Sequence, residues 1–225
     1  MIGGRGKLPS LSAALAGIPA GLQCRGPWSG RRQLTVRFAV EAETATIYTA
    51  DALKGELARL MKRSRYHSIA IIGDDALAEE EFLRAAFREK PALPLMLDHD
   101  GQRPASLEGL LDVLSLVQVS LDGSEAAPLL ERVCWTLAAS ARRHVAHAVA
   151  LTPLEGLSDG ALLRIVEQVH TASAETQLVL HRSSDADPEQ DRRWLMWLEQ
   201  AMAVHGDVRV LPGYRKGMET TQRDS

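Results

Sequence analysis

Two hydrophobic periods alternate along most of the chain. Runs such as Ser68-Ile-Ala-Ile-Ile72 and Leu116-Val-Gln-Val-Ser-Leu121 are apolar nearly throughout, as strands buried on both faces of a parallel sheet must be. Between them lie stretches with helical spacing. The clearest follows Thr49, which can cap a helix whose Leu53, Leu57, Leu60 and Met61 form one apolar stripe. The spacing predicts strands over residues 34–40, 68–72, 93–97, 116–121, 144–151, 177–181 and 207–211. It predicts helices from Thr49 and over residues 77–88, 106–113, 125–142, 158–172 and 188–205, the last with Pro188 near its start.

Strict alternation of strand and helix with short loops specifies the α/β class and a parallel sheet with right-handed crossovers. The number of units fits a (β/α) partial TIM-like barrel of about six to seven parallel strands. Residues 33–217 then form one barrel-like domain. Residues 1–32, rich in Gly and Pro, are either irregular or a remodelled first βα unit. Residues 218–225 are a polar, disordered tail.

Three of these strands end alike. Ile72 runs into Gly73, Asp74 and Asp75; Leu97 runs into Asp98, His99, Asp100 and Gly101; Leu121 runs into Asp122 and Gly123. In such folds the carboxyl ends of the strands form the binding edge. The acids, with His99 and His181, therefore define a candidate rim. Acids also serve there as turn formers and helix caps. A divalent ion on Asp75, Asp98 and Asp122, polarising a carbonyl or phosphoryl group, would make the chain a metal-dependent enzyme.

Composition narrows the classes. The 225 residues are 45% hydrophobic and 24% charged with a net charge of −3, which suits a globular protein and gives no electrostatic case for nucleic acid. No apolar run approaches the roughly 20 residues of a membrane span. Cys24 and Cys134 are too few for a disulfide framework or a four-thiolate metal site, and unpaired thiols fit a reducing cytoplasm. The first 40 residues carry Arg5, Lys7, Arg25, Arg31, Arg32 and Arg37 and no acid, a slight likeness to a targeting peptide. Bulky Gln23 before Cys24 argues against lipoprotein cleavage.

Several motifs are absent: a nucleophile elbow Gly-x-Ser-x-Gly, a phosphate loop and a His-Glu-x-x-His zinc site. His144 and His147 should point to opposite faces of a strand, and His170 and His205 should lie on the surface. Trp194 and Trp197, with Leu195, Leu198 and Met202, form a broad apolar helix face suited to core packing or a partner. Arg215 and Lys216 make the basic pair placed on the rim.

The order of several segments resembles the activases of glycyl radical enzymes, in the radical SAM superfamily. Residues 47–53, 66–77 and 81–84 are similar to a family stretch with a strand ending Gly-Gly-Glu-Pro-Leu and a following helix with a Glu-Phe-Leu-type patch. Leu97-Asp-His-Asp-Gly101 resembles a strand ending Asp-Thr-Asn-Gly. Val117-Gln-Val-Ser-Leu-Asp-Gly123 resembles the next, ending Ser-Leu-Asp-Gly. Thr152-Pro-Leu-Glu-Gly156 with Ser158 and Asp159 resembles a Pro-Leu-Ile-Pro-Gly turn, and Val210-Leu-Pro-Gly-Tyr-Arg-Lys-Gly217 the closing strand and its basic segment.

The departures fall on the chemistry. The family holds a [4Fe–4S] cluster on Cys-x3-Cys-x2-Cys. Counting from Cys24, the other two positions are Trp28 and Arg31, which cannot ligate iron. The glycine-rich motif shrinks to Gly73, Asp74, Asp75 and Ala76, and Leu151 stands near where an arginine often meets the cofactor's carboxylate. The resemblance thus implies a barrel without its cluster, with no catalytic residue and no metal. It implies a non-catalytic accessory or regulatory protein, or a small-molecule binder whose pocket for S-adenosylmethionine is carried by Gly73, Asp74, Asp75, Asp98, Ser120 and Asp122. The implied partners are a glycyl radical enzyme, its activase or another protein. Radical activity with ligands borrowed from a partner is the remaining alternative.

Overall fold

Each parallel strand pairs with the parallel strand that precedes it in sequence, and this order governs the architecture. The structure, a computed structural model, describes residues 11–39, 45–73, 75–122, 126–153, 157–182 and 188–211. Among them ten strands form one sheet: β1 (Ser12–Gly17), β2 (Ala20–Leu22), β3 (Arg32–Phe38), β4 (Thr46–Thr49), β5 (Ser68–Ile72), β6 (Leu95–His99), β7 (Leu116–Asp122), β8 (Ala146–Thr152), β9 (Gln177–His181) and β10 (Val208–Leu211). The order β10-β9-β8-β7-β6-β5-β3 is parallel throughout. β1 and then β4 continue it antiparallel, and β2 pairs antiparallel with β3. The sheet is open, with β10 and β4 at its edges.

The helices are α1 (Ala50–Arg63), α2 (Glu80–Ala86), α3 (Pro104–Glu108), α4 (Ala126–Arg142), α5 (Asp159–Ala172) and α6 (Pro188–Val204). When neighbouring strands follow one another in sequence and every crossover is right-handed, the helices gather on one face. The packing agrees. Alternate strand residues Leu34, Val36, Ile69, Ile71, Leu95, Leu97 and Val117 pack with Leu53, Leu57, Phe82, Leu83 and Leu107 of the helices. Val119, Leu121, Val149, Leu151, Leu178 and Leu180 do the same with Leu137, Leu162, Val166, Trp194 and Trp197. The opposite face carries a small separate apolar patch: Ala70, Met96, Leu116 and Ala148, with Trp28 and Ile72 against it.

Caps match the sequence signals. Thr49 and Ser158 accept from the amides of Ala52 and Ala161, at 3.1 and 3.2 Å. Other boundaries shift for local reasons. Pro94 cannot donate to a ladder, so β6 begins at Leu95 rather than at 93. His144 sits in a left-handed turn (φ 53°), which delays β8 to Ala146. The helix expected over 77–88 opens as a 3-10 turn, Ala76–Glu79, before α2. Residues 12–22, where low hydropathy contrast hid any period, form β1 and β2, with Ala13 and Leu15 buried. Their partner β3 supplies the order that their own sequence does not. Residues 212–225, and with them the tail and the Arg215-Lys216 pair, lie outside the described residues.

His205 corrects the surface expectation. It is fully buried, its Nε2 bonded to the carbonyl of Thr176 at 2.6 Å and its Nδ1 3.3 Å from Nδ1 of exposed His170. Trp194 and Trp197 pack edge to face, with ring centres 5.1 Å apart, while Leu195 and Met202 face outward. Trp197 also donates to Asp159 Oδ1 at 2.6 Å, tying α6 to the first turn of α5. Trp197→Phe should therefore lower stability by about 1.5–3 kcal/mol, the scale of a hydrogen bond to a charged group. Leu195→Ala should change it by less than about 0.5 kcal/mol. Urea unfolding of both variants checks this, and equal losses would contradict the assignment of α6's inner face.

Candidate functional site

The opposite face of the sheet, free of helices among the described residues, is where polar side chains collect. Asp98 of β6 and Gln118 of β7 are register partners, so their side chains emerge side by side, and Ser120 follows two residues on. Ser120 Oγ donates to Asp98 Oδ1 at 2.7 Å, and Gln118 Nε2 donates to Asp98 Oδ2 at 2.9 Å. Gln118 is fully buried and its Oε1 has no hydrogen-bond partner among the described residues. Loss of water pushes the Asp98 carboxyl up to about 6, against the Ser120 bond, the positive charge of Arg25 and the Gln118 bond, which all favour ionisation. His181, at the end of β9, is buried and held down to about 4 by desolvation and by Arg25.

A loop spanning residues 23–31, between β2 and β3, lies over these groups. The amide of Gly26 donates to His181 Nε2 at 2.9 Å, which fixes that nitrogen as the unprotonated one. Gly26 is left-handed (φ 73°), and a Cβ there would fall 1.8 Å from Gln118 Oε1. Only glycine fits. Trp28 covers the patch of Ala70, Met96, Leu116 and Ala148 and meets His67 edge-on at 5.0 Å. Gln23 Nε2 reaches Met96 Sδ at 3.9 Å.

Asp98 and Ser120 therefore come together as one hydrogen-bonded pair. Asp122 continues β7 beside Thr152 of β8, but its side chain lies outside the described residues, as does the whole of Asp74. Gly73 (φ 138°) is pressed against the end of β3, where a Cβ would stand 3.0 Å from that of Phe38. Asp75, left-handed at φ 55°, forms an exposed ion pair with Arg103, itself at φ 49°. His99 faces the helices rather than this site. It is buried, accepts the Gly101 amide on Nδ1 at 3.2 Å, and is held by desolvation at about 4. Among the described residues no three His, Cys, Asp or Glu side chains gather as metal ligands.

Sequence reasoning passed over Gln118 and Gly26. The first had a signal: Gln118 and Ser120 alternate as polar positions inside an otherwise apolar strand, which places both on one face. The second had none, because a glycine's close approach to a distant strand leaves no local mark. Neither models of known protein families nor curated proteins give a match to this sequence.

The titrations oppose one another. Asp98 rises from 3.8 to about 6 on folding, so the native state gains stability as pH falls from 6 towards 4 and lacks it above. His99 and His181 fall from 6.5 to about 4, so their contribution is full above 6.5 and is lost over the same acid window. Asp98→Asn should thus raise stability relative to the parent at pH 8, by up to about 3 kcal/mol, and by much less at pH 4. Urea titrations at the two pH values measure this. A difference independent of pH would remove Asp98's titration from the account.

Proposed function

We propose that this chain is a cluster-less relative of the radical SAM activases, a partial (β/α) barrel that binds a small polar molecule without cleaving it. Its ligand is of the S-adenosylmethionine class, and its role is accessory or regulatory to an activase or the enzyme that activase serves. The observation that carries the reading is the Asp98–Ser120–Gln118 cluster on the helix-free face, under a loop that begins near Cys24. The winding order of the seven parallel strands supports a partial barrel. The two loop positions that would need thiolates hold Trp28, spent on packing, and Arg31, which is exposed. A metal ion on Asp75, Asp98 and Asp122 gains no support, since Asp75 is engaged by Arg103.

Asp98 supplies the binding chemistry. Near neutral pH it is ionised yet poorly hydrated, so a ligand ammonium or sulfonium would replace water it has lost. Calorimetric titration with S-adenosylmethionine and S-adenosylhomocysteine should give saturable binding at roughly micromolar Kd. Asp98→Asn should weaken it about tenfold or more, the equivalent of one lost charge-assisted bond. Affinity should fall below pH 6 as Asp98 takes up a proton, approaching tenfold per pH unit. No heat with either compound would sink the binding role. Release of 5′-deoxyadenosine by iron-loaded protein would sink the non-catalytic one.

A further inference from the structure

We propose that residues 23–31 form a removable plug, a preformed loop that lifts as a unit to uncover the helix-free face. The loop keeps its own shape. At its neck the amide of Gln23 donates to Arg31 O and that of Gly30 to Gln23 O, both at 2.8 Å. Within it Ser29 donates to Gly26 O at 3.1 Å and Arg31 to Trp28 O at 3.0 Å. None of these bonds involves the sheet beneath, so none breaks when the loop leaves.

The seat is weak by comparison. Among the described residues it includes the Gly26–His181 bond, the long Gln23–Met96 contact, the attraction between exposed Arg25 and Asp98, and the partly buried Trp28 indole edge-on to His67. Lifting the loop lets water replace each polar partner. It also gives Gln118 Oε1 the partner it lacks in the closed state. The burial of Trp28 and the attraction of Asp98 for exposed, solvent-screened Arg25 resist it. One flank is β2, three residues long and, among the described residues, paired only with β3, which is a natural hinge. The same face is the binding surface proposed above, so the plug decides when it is open, but the opening is measurable without any ligand.

Native-state hydrogen exchange on the full, ligand-free chain tests this. The amide of Gly26 should exchange about a hundredfold faster than those of Leu34 and Ile69 in the sheet, at a rate insensitive to low denaturant. The intraloop amides of Gln23, Gly30 and Arg31 should exchange more slowly than that of Gly26. Gly26→Ala, which drives a methyl into Gln118, should raise exchange at position 26 about tenfold further and leave the sheet amides unchanged. Gly30→Ala carries a similar backbone penalty (φ 80°) in open space and should not unseat the loop. If the Gly26 amide exchanges only with the sheet, or if Gly26→Ala lowers protection throughout the sheet, the loop is fixed core and the proposal fails. A failure of ligand binding with a mobile loop would instead overturn only the binding role.

Discussion

A parallel sheet wound in one direction has its helices on one side, and everything else in this molecule answers to that constraint. The helix side is saturated with Leu, Val, Ile and two tryptophans. Among the described residues the other side receives no helix, and it is covered by a loop or left to solvent and ligand. Nature's usual two-sided α/β sheets escape the problem by reversing direction midway. This chain does not reverse. Its bare face is therefore dressed with small residues, a few polar ones and the loop 23–31.

Small side chains and polar groups serve different ends there. Ala70 and Ala148 leave room beside Met96 and Leu116 for the Trp28 ring. Asp98, by contrast, costs stability in its ionised form: it is poorly hydrated and receives two neutral donors, a hydroxyl and an amide, in place of water. A group that burdens the fold in the resting state and fits a cationic ligand is the kind of residue from which binding sites are made. The orphaned Gln118 Oε1 beside it points the same way, because a fully satisfied core would not leave an amide oxygen bare.

Much of the α/β framework was legible because it is written in local period. Ser68–Ile72 and Gln177–His181 stand where the apolar runs placed them, and Thr49 and Ser158 cap as their side chains allow. The antiparallel edge was not legible. β1 and β4 owe their existence to pairing with each other and with β3, and Ala-rich segments carry too little contrast to announce a face. The site was half legible. Acids after strands marked Asp98, yet the same rule marked Asp75, which the fold turns to Arg103. Sequence shows that a carboxylate stands at a strand end; only the sheet register shows which neighbour it meets. His99 makes the same point, since one step along β6 moves a side chain from the polar face to the helix side.

On the proposed reading, the loop after Cys24 keeps its place while losing the chemistry that would once have anchored it. Three thiolates on a cluster would hold such a loop through iron. Here, among the described residues, the hold includes an indole on an apolar patch, one backbone amide on an imidazole and the attraction of Asp98 for Arg25. The exchange of anchors changes more than strength. Coordination bonds fix a loop in one geometry, whereas hydrophobic contact and a single hydrogen bond can be remade against water. Gly26 adds to this, for a side chain there would have to displace the Gln118 amide, and a glycine backbone adopts other shapes freely once released. A loop that served as a catalytic mount would thereby become a gate, with no new element added to the fold.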